Sequence, residues 1–433
     1  MSAGRQMGGS LQVPALIGLM ILLYFFVGTQ PFRDLNDDVS GSALLSQVLI
    51  VGLSATAWLC VLRQPELLGK DILFGIAALA GWLVVSALAS AHGTEALRNG
   101  IIQIIFALNA YLILRLPRSE AEFTRILGTG FGIALLLSYG GVLLLPNVSI
   151  HQTGDIVEPM LAGLWRGHFM HKNIASNAMV VIVFFALYLH AVGSRRWAYL
   201  LGGAALFFLV QTGGKTSLAL LPSVVLLAWT IRRFRALRAP LVLGGLLAFN
   251  LLVVGATFSR DLSETIASWG IDPTFTNRSD IWKIAVRTVA EHPWTGTGLH
   301  TFWGSYNNLY GGGDLETWAY AAGTAHNGYI DTVLNIGVPG AVLTAVLFVL
   351  MPLQGIGRAI GSGNSTPLTQ FFLCVWLYGL ISAGLESVFF AKSGMLWFMF
   401  MMAAFGLRLQ GEATLVSAAP VPDTNADRGA VYG

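Results

Sequence analysis

Five side chains on an otherwise apolar chain have the chemistry to hold a phosphate and move a proton. Lys215 stands in the hairpin Thr212-Gly213-Gly214-Lys215-Thr216-Ser217, between two long apolar runs. Arg166 and Lys172 bracket the stretch Trp165-Arg166-Gly167-His168-Phe169-Met170-His171-Lys172-Asn173, and Arg278 opens an amphipathic segment that runs to Glu291. His326 precedes another long apolar run. A cation near lipid depth is costly and marks a functional position by default. Converging cations suit a phosphate or diphosphate, Arg as a bidentate fork and Lys as a point charge. Taken singly, the same residues also serve as headgroup contacts or snorkelling side chains. A neutral His can accept a proton near pH 7 or hydrogen-bond a neighbouring loop carbonyl, and both readings fit His326. His168 and His171 have the spacing of a metal pair, but no third ligand is suitably spaced nearby. Asp314-Leu315-Glu316 is the only closely spaced acidic pair in the loop after Arg278, and a solvated loop is its simpler reading. No metal site and no cofactor are expected.

The elements that must position these groups are membrane helices. Of 433 residues, 55% are hydrophobic and 11% charged, with a mean hydropathy of +0.67. Soluble domains carry about 25% charged residues, so this chain cannot cover a water-facing surface. Fifty glycines and 25 phenylalanines fit packed membrane helices better than a barrel of short alternating strands. The two cysteines, Cys60 and Cys374, lie in apolar runs, which excludes a disulfide framework.

Twelve segments are apolar enough to be read as crossings, at roughly 20 residues per crossing: 11–28, 43–62, 72–91, 99–116, 124–145, 173–192, 197–212, 216–231, 239–257, 328–353, 368–385 and 393–408. The first is read as a retained helix, not a signal peptide. With the N-terminus inside, 15 of the 25 basic residues fall on the inner side and 15 of the 22 acids on the outer side. That asymmetry predicts two cytoplasmic termini. Residues 1–410 then form a transmembrane domain, with an outer loop at 258–325 between the ninth and tenth helices and a disordered tail at 411–433. A second long outer segment spans about Pro146 to Lys172.

Within the loop, Arg278 to Glu291 is predicted to be a helix capped by Thr276 or Asn277 and stopped by Pro293. Ile281, Trp282, Ala285 and Val289 share one face, the pattern of an interfacial helix lying on the outer leaflet. No internal repeat is visible, which weighs against a transporter of duplicated halves, and no Walker A sequence is present.

The most specific segment is His326-Asn327-Gly328-Tyr329-Ile330-Asp331-Thr332-Val333-Leu334-Asn335-Ile336-Gly337-Val338-Pro339-Gly340. It resembles the signature of bacterial O-antigen ligases: His, then Asn, Ser or Gln, nine residues, Gly, two residues, and Gly, Thr or Tyr. His326, Asn327, Gly337 and Gly340 fill the four fixed positions. Upstream, Asn277-Arg278-Ser279-Asp280-Ile281-Trp282 looks like the family's Arg-containing start of the outer-loop helix. Glu291-His292-Pro293-Trp294-Thr295-Gly296-Thr297-Gly298-Leu299 looks like its His-Pro-x-x-Gly-x-Gly element. Lys215 stands where the family often has Arg after Thr-Gly, and Arg166-Gly167-His168-Phe169 through Asn173 resembles its Gly-Phe…Asn element.

The resemblance implies a periplasm-facing, metal-independent, inverting glycosyltransferase of the bacterial inner membrane, with an all-α polytopic fold of the GT-C type. It implies a donor glycan on undecaprenyl pyrophosphate, an acceptor hydroxyl on lipid A–core, contact with membrane lipids and no nucleic-acid partner. Arg166, Lys215 and Arg278 would bind the diphosphate, and His326 with Arg278 would carry catalysis. His168, His171, Asn327, Gly337 and Gly340 would bind the acceptor or support the site. O-antigen polymerases and some protein O-oligosaccharyltransferases share the pattern. Rival readings are therefore a polymerase joining lipid-linked repeat units and, from another class, a transporter of lipid-linked sugars.

Overall fold

The computed structural model describes residues 12–34, 42–62, 68–155, 158–275, 278–303, 322–361, 366–392 and 394–411. Among them the helices are, in chain order, α1 Val13–Phe26, α2 Ser42–Val61, α3 Lys70–Ala89, α4 Gly93–Leu112, α5 Glu120–Leu144, α6 Pro146–Ser149, α7 Lys172–Ala191, α8 Arg195–Gln211, α9 Lys215–Arg233, α10 Gly245–Gly255, α11 Arg260–Ser268, α12 Arg278–Glu291, α13 Gly328–Ala345, α14 Met351–Gly361, α15 Pro367–Ser382 and α16 Met395–Gln410. The expected caps Thr276 and Asn277, the pair Asp314 and Glu316, and the tail 412–433 lie outside the described residues.

All twelve apolar segments fall on helices. Among the described residues, seven helical stretches are long and apolar enough to cross a membrane: Leu44–Val61, Lys70–Ala89, Glu120–Leu144, Lys172–Ala191, Lys215–Arg233, Arg235–Gly255 and Gly328–Gly361. Three shorter apolar helices, α1, α15 and α16, pack with them. Their outward sides are oily: Phe74, Leu88, Leu143 and Leu144 are each at least 76% exposed. Water would not tolerate such a surface; lipid does. The protein is a polytopic helical membrane protein.

α16 is apolar on every side, and all its residues are buried. A helix of that pattern belongs in the interior. It contacts α4, α7, α14, α15 and α1. Its one cation, Arg408, reaches Asp71 at the start of α3 through Nη2 at 2.5 Å and Nε at 2.7 Å.

The glycines of the motif act differently from one another. Gly337 interrupts α13 with φ 69° and ψ 177°. The break exposes main-chain groups that the segment 293–298 satisfies. Val338 N–H donates to the Pro293 carbonyl at 2.8 Å, Thr297 N–H to Leu334 at 2.9 Å and Gly298 N–H to Asn335 at 3.0 Å. A side chain at Gly337 would overlap the Trp294 carbonyl. At Gly337 a loop backbone thus enters a broken helix. Gly340 does pack closely, against Trp82 of α3. α3 supports the junction with Trp82, Ser86 and Ser90, one face at four-residue spacing, bonding the carbonyls of Ile336 (2.8 Å), Thr295 (2.7 Å) and Thr297 (2.5 Å). Gly337→Ala should cost on the order of 2–3 kcal/mol, from positive φ and the blocked approach. A thermal melt in detergent matching the parent would refute this account.

α12 differs from expectation in what its apolar face meets. Ile281, Trp282 and Ala285 are buried, and Ile281, Ala285 and Val289 cluster with Trp303, Ala322, Ala325 and Leu334. Trp282 Nε1 donates to the Ala325 carbonyl at 2.9 Å. The face that fits a leaflet fits protein equally well, because both are apolar. Here it anchors the chain one residue before His326.

Candidate functional site

The site lies at the end of the bundle where α7, α9 and α13 begin and α15 ends. Ser176 Oγ and Ser217 Oγ, in the first turns of α7 and α9, are 3.4 Å apart. A side chain at Gly214 would strike Ser176 at 2.7 Å, so only glycine before Lys215 allows that approach. Tyr378 of α15 closes the floor, its hydroxyl 2.6 Å from Asn177 Oδ1 and 2.9 Å from Ser217 Oγ.

α13 is capped by Asn327. Asn327 Oδ1 accepts from the N–H groups of Tyr329 (3.0 Å) and Ile330 (3.1 Å). Its Nδ2 donates to the Gly384 carbonyl at 3.1 Å, and Gly328 N–H donates to the Ala383 carbonyl at 2.7 Å. The helix start is thereby locked to the segment that follows α15. Thr324 Oγ1 meets the His326 N–H at 3.4 Å. His326 stands just outside the helix with φ 48°, a left-handed conformation uncommon for a residue with a side chain.

The segment after α15 delivers Glu386. Its Oε2 lies 3.3 Å from His326 Nδ1 and its Oε1 3.0 Å from Arg278 Nη2. Arg278 also donates to the Leu385 carbonyl. One carboxylate therefore joins the two groups expected to carry catalysis. Burial favours the neutral acid, but the His326 hydrogen bond and the Arg278 charge outweigh it and hold Glu386 below the ordinary carboxylate range. His326 and Glu386 keep 33% and 37% of their side chains exposed, so a ligand can reach them. If Nδ1–H is given to Glu386, the tautomer carries its lone pair on Nε2.

Asp331 makes no hydrogen bond to His326. It is buried, and accepts from the Ala325 N–H at 3.0 and 3.1 Å, from Trp303 Nε1 at 3.0 Å and from the Ser387 hydroxyl. It thus grips the neighbour of His326 and the neighbour of Glu386 together.

The remaining expected residues are distributed more widely. Lys215 is exposed at the start of α9 and forms no ion pair among the described residues. Lys172, opening α7, lies within electrostatic range of Lys215, Glu386 and Glu158. Arg166 is 2% exposed; Nη1 donates to the Arg33 carbonyl at 3.1 Å and lies within 3.5 Å of the Phe169 and Met170 carbonyls. His168 is buried with both nitrogens engaged, Nδ1 accepting from Ser138 Oγ at 2.9 Å and Nε2–H donating to the Phe26 carbonyl at 2.8 Å. His171 caps α7 through Nδ1 and bonds Glu158 through Nε2 at 2.7 Å. Both histidines are held by protein groups at both ring nitrogens. Among the described residues no group of three His, Cys, Asp or Glu side chains could hold a metal ion.

Burial brings His168 and His300 to about 4 each. In the unfolded chain each titrates near about 6.5. Between those values the unfolded state takes up protons that the native state refuses, so stability falls as the pH drops from 6.5 towards 4. Melting temperature in detergent should decline across that interval, and less steeply in a His168→Gln, His300→Gln double variant. A flat wild-type profile would show that neither ring is held neutral.

Sequence reasoning missed Glu386. The available signal is that it is the only acidic residue between Thr366 and Gly411, a lone carboxylate in an apolar stretch. It also left Lys172 without a role and gave Asp331 none.

The fold and the site together define a polytopic membrane protein with a cluster of polar and charged side chains at one end of its helix bundle. Residues 197–345 match the family model described as O-antigen ligase, a stretch that contains Lys215, Arg278, His326, Gly337 and Gly340. Among curated proteins none matches the chain.

Proposed function

We propose that this protein is an O-antigen ligase. It transfers a glycan from undecaprenyl pyrophosphate to a sugar hydroxyl of lipid A–core, on the periplasmic side of the bacterial inner membrane. The observation that carries the reading is the single Glu386 carboxylate shared by His326 and Arg278, beside two lysines that form no ion pair among the described residues. On this reading the chain crosses the membrane twelve times in a GT-C type arrangement, and the excess of basic residues on one side supports cytoplasmic termini.

In the proposed reaction the acceptor hydroxyl oxygen attacks the anomeric carbon as the bond from that carbon to the diphosphate oxygen breaks, with inversion. Nε2 of His326 takes the hydroxyl proton, and Glu386 steadies the imidazolium that forms. The leaving diphosphate needs charge stabilisation more than protonation, which Lys215 and Arg278 supply. Asn327 and Asp331 fix where the base sits.

The test is reconstitution of purified protein with a synthetic undecaprenyl-pyrophosphate glycan and lipid A–core, without a gradient. Glycosylated core should form, and should still form in EDTA. Joining of glycan only to a second lipid-linked unit would make the protein a polymerase, and movement of the donor without transfer would make it a transporter. Activity abolished by EDTA and restored by magnesium would overturn the metal-independent mechanism.

A further inference from the structure

Arg166 and Lys172 bracket one loop segment and carry the same charge, yet the structure uses them differently. The Arg166 guanidinium is sunk among the carbonyls of Arg33, Phe169 and Met170, and the charges it feels are Asp155 and Asp34. It could turn to a ligand only by releasing the loop.

Lys172, six positions on, has its backbone pinned from two sides. Its N–H donates to His151 Nε2 at 3.3 Å, and His151 Nδ1 is held by Asp155 at 3.1 Å. The preceding residue, His171, is held by Glu158 at 2.7 Å. The ammonium itself forms no ion pair among the described residues, although Glu158 and Glu386 lie within electrostatic range. The first turns of α7 and α9 touch through Ser176, Gly214 and Ser217, so Lys172 and Lys215 project from adjoining helix ends. Tyr378 fixes that spacing from below. Glu158 and Glu386 act on Lys172 more strongly than Lys215 does, so the two ammonium groups can share one end of the bundle, where a ligand with two adjacent negative charges can engage both. Arg278 already gives donors to Glu386 and Leu385, which leaves the lysine pair as the freer cations.

We propose that Lys172 binds the diphosphate of the lipid-linked donor jointly with Lys215, and that Arg166 fastens the loop that presents Lys172. This rests on the reading of the site given above and adds a binding residue to it.

Calorimetric titration of the purified full chain in detergent with farnesyl pyrophosphate tests the assignment. Lys172→Ala should bind at least about tenfold more weakly than wild type, since a charge-assisted contact is removed. Lys172→Arg should stay within about threefold, as charge is kept. Lys283→Ala, which removes a charge paired to Asp280 elsewhere, should bind as wild type. Melting curves establish that each variant is folded. No binding by the wild type defeats the diphosphate reading of the whole site and this inference with it. Wild-type binding with unchanged affinity in Lys172→Ala defeats this inference alone. Equal loss in the Ala and Arg variants, both folded, makes the position structural and also defeats it. So does a Lys172→Ala protein that loses co-purified phosphatidylglycerol while keeping farnesyl pyrophosphate, because the lysine then serves a membrane headgroup.

Discussion

His326→Ala should lower glycan transfer by about 10²–10⁴-fold, the usual contribution of a positioned general base. Donor affinity should survive, because the cations that hold a diphosphate come from α7, α9 and α12, and none depends on the imidazole for its backbone position. The Asn327 cap and the Asp331 grip on Ala325 keep the main chain in place when the ring is removed. Turnover and farnesyl pyrophosphate affinity, measured on one preparation, separate the two effects. Near-normal turnover would remove His326 from the mechanism. A loss of affinity as large as that in Arg278→Ala would make it a diphosphate ligand and leave the base unidentified.

Glu386→Gln should cost about 10²-fold in turnover while preserving shape, since a neutral amide no longer stabilises the imidazolium or the ring orientation. Donor affinity should hold or rise, because Arg278 is released from its counter-charge and gains freedom to meet the donor. The pH dependence has a definite sign. Glu386 is held below the ordinary carboxylate value of about 4.3, so its contribution is present at neutral pH and lost only as the pH falls through that lowered value. Steady-state kinetics over donor concentration decides the matter. A Gln variant with the wild-type rate would reduce Glu386 to an anchor for α12.

These two expectations have different origins. His326 was legible because its motif is local: a histidine, an asparagine and two glycines at fixed spacing within one short stretch. Lys215 and Arg278 were legible because a charge at the mouth of an apolar run stands out against its neighbours. Glu386 carries no such frame. Its partners lie 60 and 108 residues away in the chain, and nothing in the short segment between α15 and α16 announces them. Arg166 shows the opposite error. Its charge suggested a ligand, while its burial among three carbonyls is a property of how the loop packs.

The sequence by itself determined that this is a helical membrane protein, roughly where its helices run, and which cations and which histidine to suspect. Those features follow from near neighbours: apolar run length, helical periodicity, turn chemistry and the cost of charge in lipid. Tertiary structure alone decided the rest. It capped α13 with Asn327 and made Gly337 a break that admits the segment 293–298. It laid the apolar face of α12 against protein, and brought Glu386 between His326 and Arg278. An apolar face is satisfied by lipid or by protein, and a polar group by any partner of the right geometry. Which one it meets depends on how distant segments pack, and no local pattern encodes that.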